Sequence, residues 1–123
     1  MKPSVLICED VKKTREALRK CLEGEFTVVG EVADGASAVL AARELRPSLV
    51  LMDVVMPKLS GLEAAKAILS ESQPPRVIFV SGLKDQRVVM EAFQIGAGDY
   101  LFKPVDEKVL RQVLHRHTDK PEA

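Results

Sequence analysis

Residues 49–57 read LVLMDVVMP, and this stretch decides the fold class of the chain. The apolar run from Leu49 to Met52 shows no alternation between apolar and polar residues, and it ends at an acid, Asp53, with Pro57 four residues later. A short, continuously apolar run bounded by turn residues is typical of a strand that is buried on both faces, as in a parallel sheet. The stretch therefore predicts a central strand with a carboxylate at its carboxyl end.

Similar apolar runs occur four more times, and segments with helical periodicity separate them. The predicted strands are Val5 to Cys8, Val28 to Val32, Leu49 to Met52, Val77 to Val80 and Tyr100 to Phe102. The intervening apolar residues with helical spacing fall in Val11 to Leu22, Ala38 to Leu45, Leu62 to Leu69, Val88 to Phe93 and Val109 to Leu114. Strict alternation of strands and helices predicts a doubly wound α/β fold, with five helices covering both faces of a five-stranded parallel sheet.

Several local signals mark where the helices begin and end. Ser60 with Glu63 three residues later forms a capping-box pattern, which predicts the start of the third helix. The Asp34-Gly35 pair predicts a turn before the second helix, and the fourth is expected to run from about Asp85 to Gly96.

Bulk composition limits the possible functions. A chain of 123 residues fits one domain, predicted over 1–118, with 119–123 as a tail or the start of a linker. Eighteen basic and eighteen acidic residues cancel, so no general field attracts nucleic acid or anionic lipid, and we expect no direct binding to either. Cys8 and Cys21 are expected to be buried free thiols. No apolar run is long enough for a membrane span, which favours a cytoplasmic location.

The residues that directly follow the predicted strands are chemically specific. Glu9-Asp10 follows the first strand, Asp53 the third, Ser81 the fourth and Lys103-Pro104 the fifth. Ligands of open parallel sheets bind outside the carboxyl ends of the strands, so these side chains should converge. Three neighbouring carboxylates repel one another unless a cation neutralises them, and oxygen ligands favour Mg²⁺.

This set of side chains suits phosphoryl transfer. An ionised Asp53 is a competent nucleophile toward phosphorus if Mg²⁺ and Lys103 offset the charge of the transferring group. The hydroxyl of Ser81 could then donate to a phosphoryl oxygen, a contact that exists only in the phosphorylated state. Such a contact favours a switch.

From Lys2 to about His117 the chain resembles the receiver domain of bacterial two-component response regulators. The resemblance rests on ordered motifs: the acidic pair Glu9-Asp10, the stretch Asp53 to Pro57 followed by Gly61, the Ser81-Gly82 step, and Tyr100 to Pro104. Together, at the ends of successive strands, they are specific.

The resemblance implies the roles of the site residues. It implies that Asp53 accepts a phosphoryl group from a histidine kinase or phosphotransfer protein, that Lys103 contacts that group, and that Mg²⁺ is held by Glu9, Asp10, Asp53 and the backbone carbonyl of Val55. It also implies the flavodoxin-like strand order 2-1-3-4-5 and a cis peptide bond between Lys103 and Pro104. Such a chain is not an enzyme beyond its own phosphoryl transfer and autodephosphorylation.

The resemblance further implies an output route. Ser81 would couple to Tyr100, which turns inward on activation and alters the face made by the fourth helix, the fifth strand and the fifth helix. That face would serve an attached output domain, a target protein or a homodimer. The sequence departs from the commonest pattern at two positions, because Glu9 stands where Asp is more frequent and Ser81 where Thr is.

Simpler interpretations of the same residues remain open. Glu9-Asp10 could simply cap the first helix, Lys103 could be a solvated surface lysine, and Tyr100 could be core packing. His115 and His117 are predicted to be exposed residues at the end of the last helix, without acidic companions.

Three other functions compete with a phosphorylation switch. A phosphohydrolase of the haloacid dehalogenase type would need a second Asp where Val55 stands. A degenerate receiver acting as a constitutive protein-binding module would lack the acceptor, the acids or the lysine. A nucleotide-binding domain is disfavoured because Gly96-Ala97-Gly98 precedes the last strand instead of following the first.

Overall fold

The computed structural model describes residues 2–118, and the predicted tail at 119–123 lies outside that range. The strands are β1 (Ser4–Cys8), β2 (Thr27–Val32), β3 (Leu49–Met52), β4 (Arg76–Ser81) and β5 (Asp99–Phe102). The helices are α1 (Lys12–Leu22), α2 (Gly35–Leu45), α3 (Gly61–Leu69), α4 (Gln86–Ile95) and α5 (Glu107–Thr118). Each predicted strand and helix is present.

The five strands form one parallel sheet in the order β2-β1-β3-β4-β5, which confirms the predicted topology. The register pairs Cys8 with Met52, and Met52 with Phe79. Neighbouring strands therefore end at the same level, and the residues that follow them meet at one edge of the sheet.

Two apolar layers cover the sheet because successive strand residues point to opposite faces. On one face, Leu6 and Cys8 of β1 belong to the cluster that packs beneath α2, α3 and α4. On the other, Val5 and Ile7 belong to the cluster that packs beneath α1 and α5. This double burial explains why the inner strands β1, β3 and β4 read as nearly unbroken apolar runs.

The helix boundaries follow the predicted signals with two differences. The Ser60 and Glu63 capping box is present in full. Asp34 is the N-cap of α2, because its carboxylate accepts a hydrogen bond from the Ser37 amide at 2.7 Å, and Gly35 is already helical. Val11 was expected on the buried face of α1, but it is the N-cap residue and its side chain is 51% exposed.

The prediction for the two histidines was wrong. The His115 Nε2 atom lies 2.7 Å from a carboxylate oxygen of Glu25, and the His115 ring packs on Phe26. The side chain of His117 is only 10% exposed and lies 3.9 Å from Asp99. Folding brings α5 against segments distant in sequence, so both histidines gain acidic companions that local sequence does not show.

Within the described residues, no helix combines the length and apolar character that a membrane crossing requires. Cys8 and Cys21 are buried and free, as predicted.

Candidate functional site

The sheet brings Glu9 and Asp53 together at its carboxyl edge. The Asp53 amide donates to the carbonyl of Cys8 at 3.0 Å, and the Glu9 amide donates to the carbonyl of Val32 at 3.0 Å. Backbone bonding to neighbouring strands thus extends one residue past β1 and β3 and fixes the positions from which both carboxylates project. Both acids are buried, Glu9 to 1% exposure and Asp53 to 8%.

A glycine holds the loop after Asp53 close to the start of α3. The Gly61 amide donates to the carbonyl of Val54 at 2.7 Å. A Cβ atom at position 61 would lie 1.9 Å from the Asp53 carbonyl oxygen, so only glycine permits this approach. The Asp53 to Gly61 spacing in the sequence therefore has a steric cause.

Lys103 joins the two buried acids. It follows β5, and its Nζ atom lies 2.6 Å from a carboxylate oxygen of Glu9 and 2.9 Å from one of Asp53. Burial alone would lower the pKa of Lys103, but its hydrogen bonds to both acids outweigh that effect and raise the pKa. The lysine is therefore a fixed cation at the sheet edge, and the interpretation as a solvated surface residue is wrong.

Glu9 uses both of its carboxylate oxygens. One accepts from Lys103 and the other from the Val11 amide at 3.0 Å. Burial raises the pKa of Glu9; the bonds from Lys103 and Val11 oppose the rise, and the charge of Asp53 adds to it. The environment of Glu9 thus favours additional positive charge nearby.

Glu9, Asp10 and Asp53 form a donor set suitable for a hard cation. Each offers a carboxylate oxygen, and these oxygens all lie within 4.8 Å of one another. Two of the acids are buried and Asp10 is exposed, so the cluster opens to solvent on one side. An all-oxygen set with an open side fits Mg²⁺, which retains several waters and binds through few carboxylates.

Capping does not explain the acidic pair. The N-cap of α1 is Val11, and of the two acids only Glu9 bonds a nearby amide, that of Val11 itself.

The side chain of Val55 is 64% exposed. The role of its backbone carbonyl as a metal ligand stays a prediction.

Ser81 and Tyr100 are linked through Leu83. The Ser81 hydroxyl oxygen accepts the Leu83 amide at 3.2 Å, and the Tyr100 hydroxyl donates to the Leu83 carbonyl at 2.6 Å. Tyr100 is 7% exposed, and burial raises the pKa of its hydroxyl while the Ser81 hydroxyl opposes the rise. The Tyr100 ring therefore points inward, with its hydroxyl bonded to the segment that follows β4. The Lys103–Pro104 peptide bond is cis.

Sequence reasoning missed one contact at this site. Arg15, at the end of the first turn of α1, donates to the backbone carbonyl of Glu9 at 2.8 Å. An arginine on an exposed helix carries no sequence signal for such a bond. The one hint in the sequence is the position of Arg15, five residues after Asp10 and near the N-terminus of α1, where the helix dipole does not favour a cation.

Comparison with known proteins agrees with the geometry. The family described as the response regulator receiver domain matches residues 5–115. Protein CcdB of Bacillus subtilis is 40% identical over 111 residues, covering 89% of this chain and 92% of its own. Transcriptional regulatory protein BtsR of Salmonella typhi is 38% identical over 114 residues, covering 91% of this chain but only 46% of its own, so the chain spans about half of that relative.

A solved structure agrees as well. A chain of the CheX-CheY-BeF3-Mg+2 complex from Borrelia burgdorferi superposes with a TM-score of 0.89 at 27% identity, covering 95% of this chain and 90% of that one.

Proposed function

The chain belongs to the response regulator receiver domain family of two-component signalling, and we propose that it is a phosphorylation-dependent switch in which Asp53 accepts the phosphoryl group. The observation that carries the proposal is the position of Asp53. It lies at a sheet edge, 2.9 Å from the ammonium of Lys103 and beside two further carboxylates. One acid would be enough to pair with Lys103 if the ion pair served only to stabilise the fold, whereas Lys103 contacts two buried acids, Glu9 and Asp53.

In the proposed reaction, a carboxylate oxygen of Asp53 attacks the phosphorus atom of a phosphohistidine on a kinase or phosphotransfer protein. The new oxygen–phosphorus bond forms as the nitrogen–phosphorus bond breaks, and the bond's electron pair leaves with the imidazole of the donor. Lys103 already contacts Asp53 and would stabilise the negative charge on the transferring oxygens.

Glu9, Asp10, Asp53 and the backbone carbonyl of Val55 would hold Mg²⁺ at the open side of the cluster. When bound, the ion supplies charge neutralisation for the phosphoryl oxygens and for the crowded carboxylates. Support comes from the donor set and from the similar Borrelia burgdorferi complex, which contains Mg²⁺ and BeF3.

Phosphorylation would be transmitted through Ser81, Leu83 and Tyr100. The Ser81 hydroxyl oxygen accepts a hydrogen bond from the Leu83 amide, so a movement of Ser81 toward a phosphoryl oxygen would be passed to the Leu83 segment. Leu83 also accepts the Tyr100 hydroxyl, so a shift of this segment reaches β5. The inward position of Tyr100, held by its bond to the Leu83 carbonyl, is the rotamer that phosphorylation would favour.

The surface that would change is formed by α4, β5 and α5. It carries exposed apolar side chains at Met90, Phe93, Phe102 and Val109. A target protein, an attached output domain or a second copy of the chain would bind there. BtsR, a transcriptional regulator about twice as long, is consistent with an attached output domain.

The test is phosphorylation in the presence of Mg²⁺. The protein is incubated with a small acyl phosphate, and intact mass is measured. We expect one phosphoryl adduct that is stable in acid and labile in base. Asp53→Asn should acquire none, whereas Asp99→Asn, at the opposite end of β5, should acquire it like the wild type. An adduct on Asp53→Asn would refute the assignment, and no adduct on the wild type would favour a constitutive binding module.

A further inference from the structure

We propose that Arg15 is a positioning residue for the Mg²⁺ site, acting through the backbone between the two acids. The inference rests on the proposed function. Arg15 would touch neither the metal nor the phosphoryl group. It would act by holding the peptide unit that joins Glu9 to Asp10.

The contact geometry suits this role. One guanidinium nitrogen of Arg15 donates to the Glu9 carbonyl at 2.8 Å, and the Nε atom lies 3.5 Å from a carboxylate oxygen of Glu31 on β2. The Glu9 carbonyl belongs to the peptide that joins Glu9 to Asp10. Fixing its oxygen therefore fixes the plane from which both acidic side chains project.

Glu31 holds the arginine in place. It is on β2, directly beside Ile7 of β1, and Arg19 pairs with it from the next turn of α1. The side chains of Arg15 and Glu31 are only 19% and 20% exposed, so their charges are less screened than those of a fully exposed pair. The planar guanidinium can bond two partners at once, which an ammonium at the same position could not do with comparable geometry.

Arg15 holds a part of the loop that strand bonding does not hold, because the Glu9 amide bonds to Val32 on β2 whereas the Glu9 carbonyl bonds to Arg15. The start of α1 has no side-chain cap, and its first turn carries no acid. A further tie within the loop is the hydrogen bond from the Val11 amide to the carboxylate of Glu9. That carboxylate is also a predicted metal ligand, so metal binding would weaken this tie while leaving the bond from Arg15 intact.

Charge and positioning predict opposite results for the loss of Arg15. Removing a cation near a cationic ligand should tighten Mg²⁺ binding if only charge matters. Removing a support of the ligand loop should weaken it, and losses of supporting contacts at metal sites commonly weaken affinity by about tenfold or more. The sign of the change therefore separates the two effects.

The experiment measures the dissociation constant for Mg²⁺ by isothermal titration calorimetry on the full chain. Arg15→Met keeps most of the alkyl stem without donors, and Arg15→Lys keeps the charge without the two-partner geometry. Arg19→Gln is the matched control, since Arg19 shares Glu31 but does not bond Glu9. We expect weaker binding by about tenfold for Arg15→Met, a smaller loss for Arg15→Lys, and less than about a twofold change for Arg19→Gln.

A second readout separates positioning from general destabilisation. In phosphorylation by an acyl phosphate, the Mg²⁺ concentration giving half the maximal rate should rise for Arg15→Met, while the rate at saturating Mg²⁺ stays within about twofold of the wild type. Urea unfolding without Mg²⁺ checks that each variant is folded.

Two results would overturn the inference alone: unchanged or tighter Mg²⁺ binding by Arg15→Met, or equal weakening by Arg15→Met and Arg19→Gln. A wild-type protein that bound no Mg²⁺ and formed no adduct would overturn the proposed function as well, so the two failures are distinguishable.

Discussion

Replacing Lys103 by Met should destabilise the metal-free protein. The substitution leaves Glu9, which is 1% exposed, and Asp53, which is 8% exposed, without their shared cation. Breaking a buried ion pair from one side typically lowers the free energy of unfolding by about 3–5 kcal/mol. The Lys103 side chain is 25% exposed, so water partly screens the pair, and we expect a loss of about 2–3 kcal/mol near neutral pH.

The loss should depend on pH in a defined direction. The pKa of Lys103 is raised in the folded protein, so its contribution is fully present below its unfolded pKa and is lost only as the pH rises through the folded value. The pKa of Glu9 is also raised, so its buried charge destabilises the fold at neutral pH, and acid relieves this. Without Lys103 the pKa of Glu9 rises further, so the deficit of the variant should shrink between about pH 7.5 and pH 5.

Urea unfolding followed by circular dichroism at these two pH values, without Mg²⁺, measures both quantities. Lys108→Met is the matched control, because Lys108 is exposed on α5, and its effect should stay within about 0.5 kcal/mol. A Lys103→Met variant as stable as the wild type at neutral pH, or a deficit that did not change with pH, would refute the electrostatic account of Glu9 and Asp53.

Three further substitutions test parts of the scaffold around the site by urea unfolding. Ser60→Ala removes the capping box of α3 and should lower the free energy of unfolding by about 1 kcal/mol, and no change would mean that the box is not needed. Gly61→Ala places a Cβ atom 1.9 Å from the Asp53 carbonyl oxygen, so it should destabilise by about 2 kcal/mol or more and slow phosphorylation; a neutral effect would contradict the close approach. Tyr100→Phe leaves the Leu83 carbonyl without its donor and should lower stability by about 1 kcal/mol, whereas an unchanged midpoint would mean that this bond contributes nothing.

The strand ends were predictable from the sequence because topology alone brings them together. A parallel sheet places all carboxyl ends at one edge, and the strand order implied by the receiver resemblance puts β3 beside β1 and β4 beside β5, so the acids after β1 and β3 and the lysine after β5 converge. The Ser60 capping box was equally predictable, because it is a local hydrogen-bond pattern encoded within four residues.

Contacts that depend on helix packing, on rotamer choice or on backbone acceptors were not predictable. The pairing of His115 with Glu25 spans 90 positions and depends on how α5 packs beside α1. The inward position of Tyr100 is a rotamer choice fixed by the Leu83 carbonyl, which no sequence pattern encodes. The bond from Arg15 to the Glu9 carbonyl has a backbone acceptor, and every residue carries one, so the sequence cannot single it out.

The most direct test of the central claim is to locate the phosphorylated residue chemically. Protein treated with Mg²⁺ and an acyl phosphate is reduced with borohydride, which converts an aspartyl phosphate to homoserine with release of phosphate, and peptides are then sequenced by mass spectrometry. We predict homoserine at position 53 alone, dependent on the phosphodonor and on Mg²⁺. Homoserine at Asp10 or at any other aspartate, with Asp53 unmodified, would contradict the account.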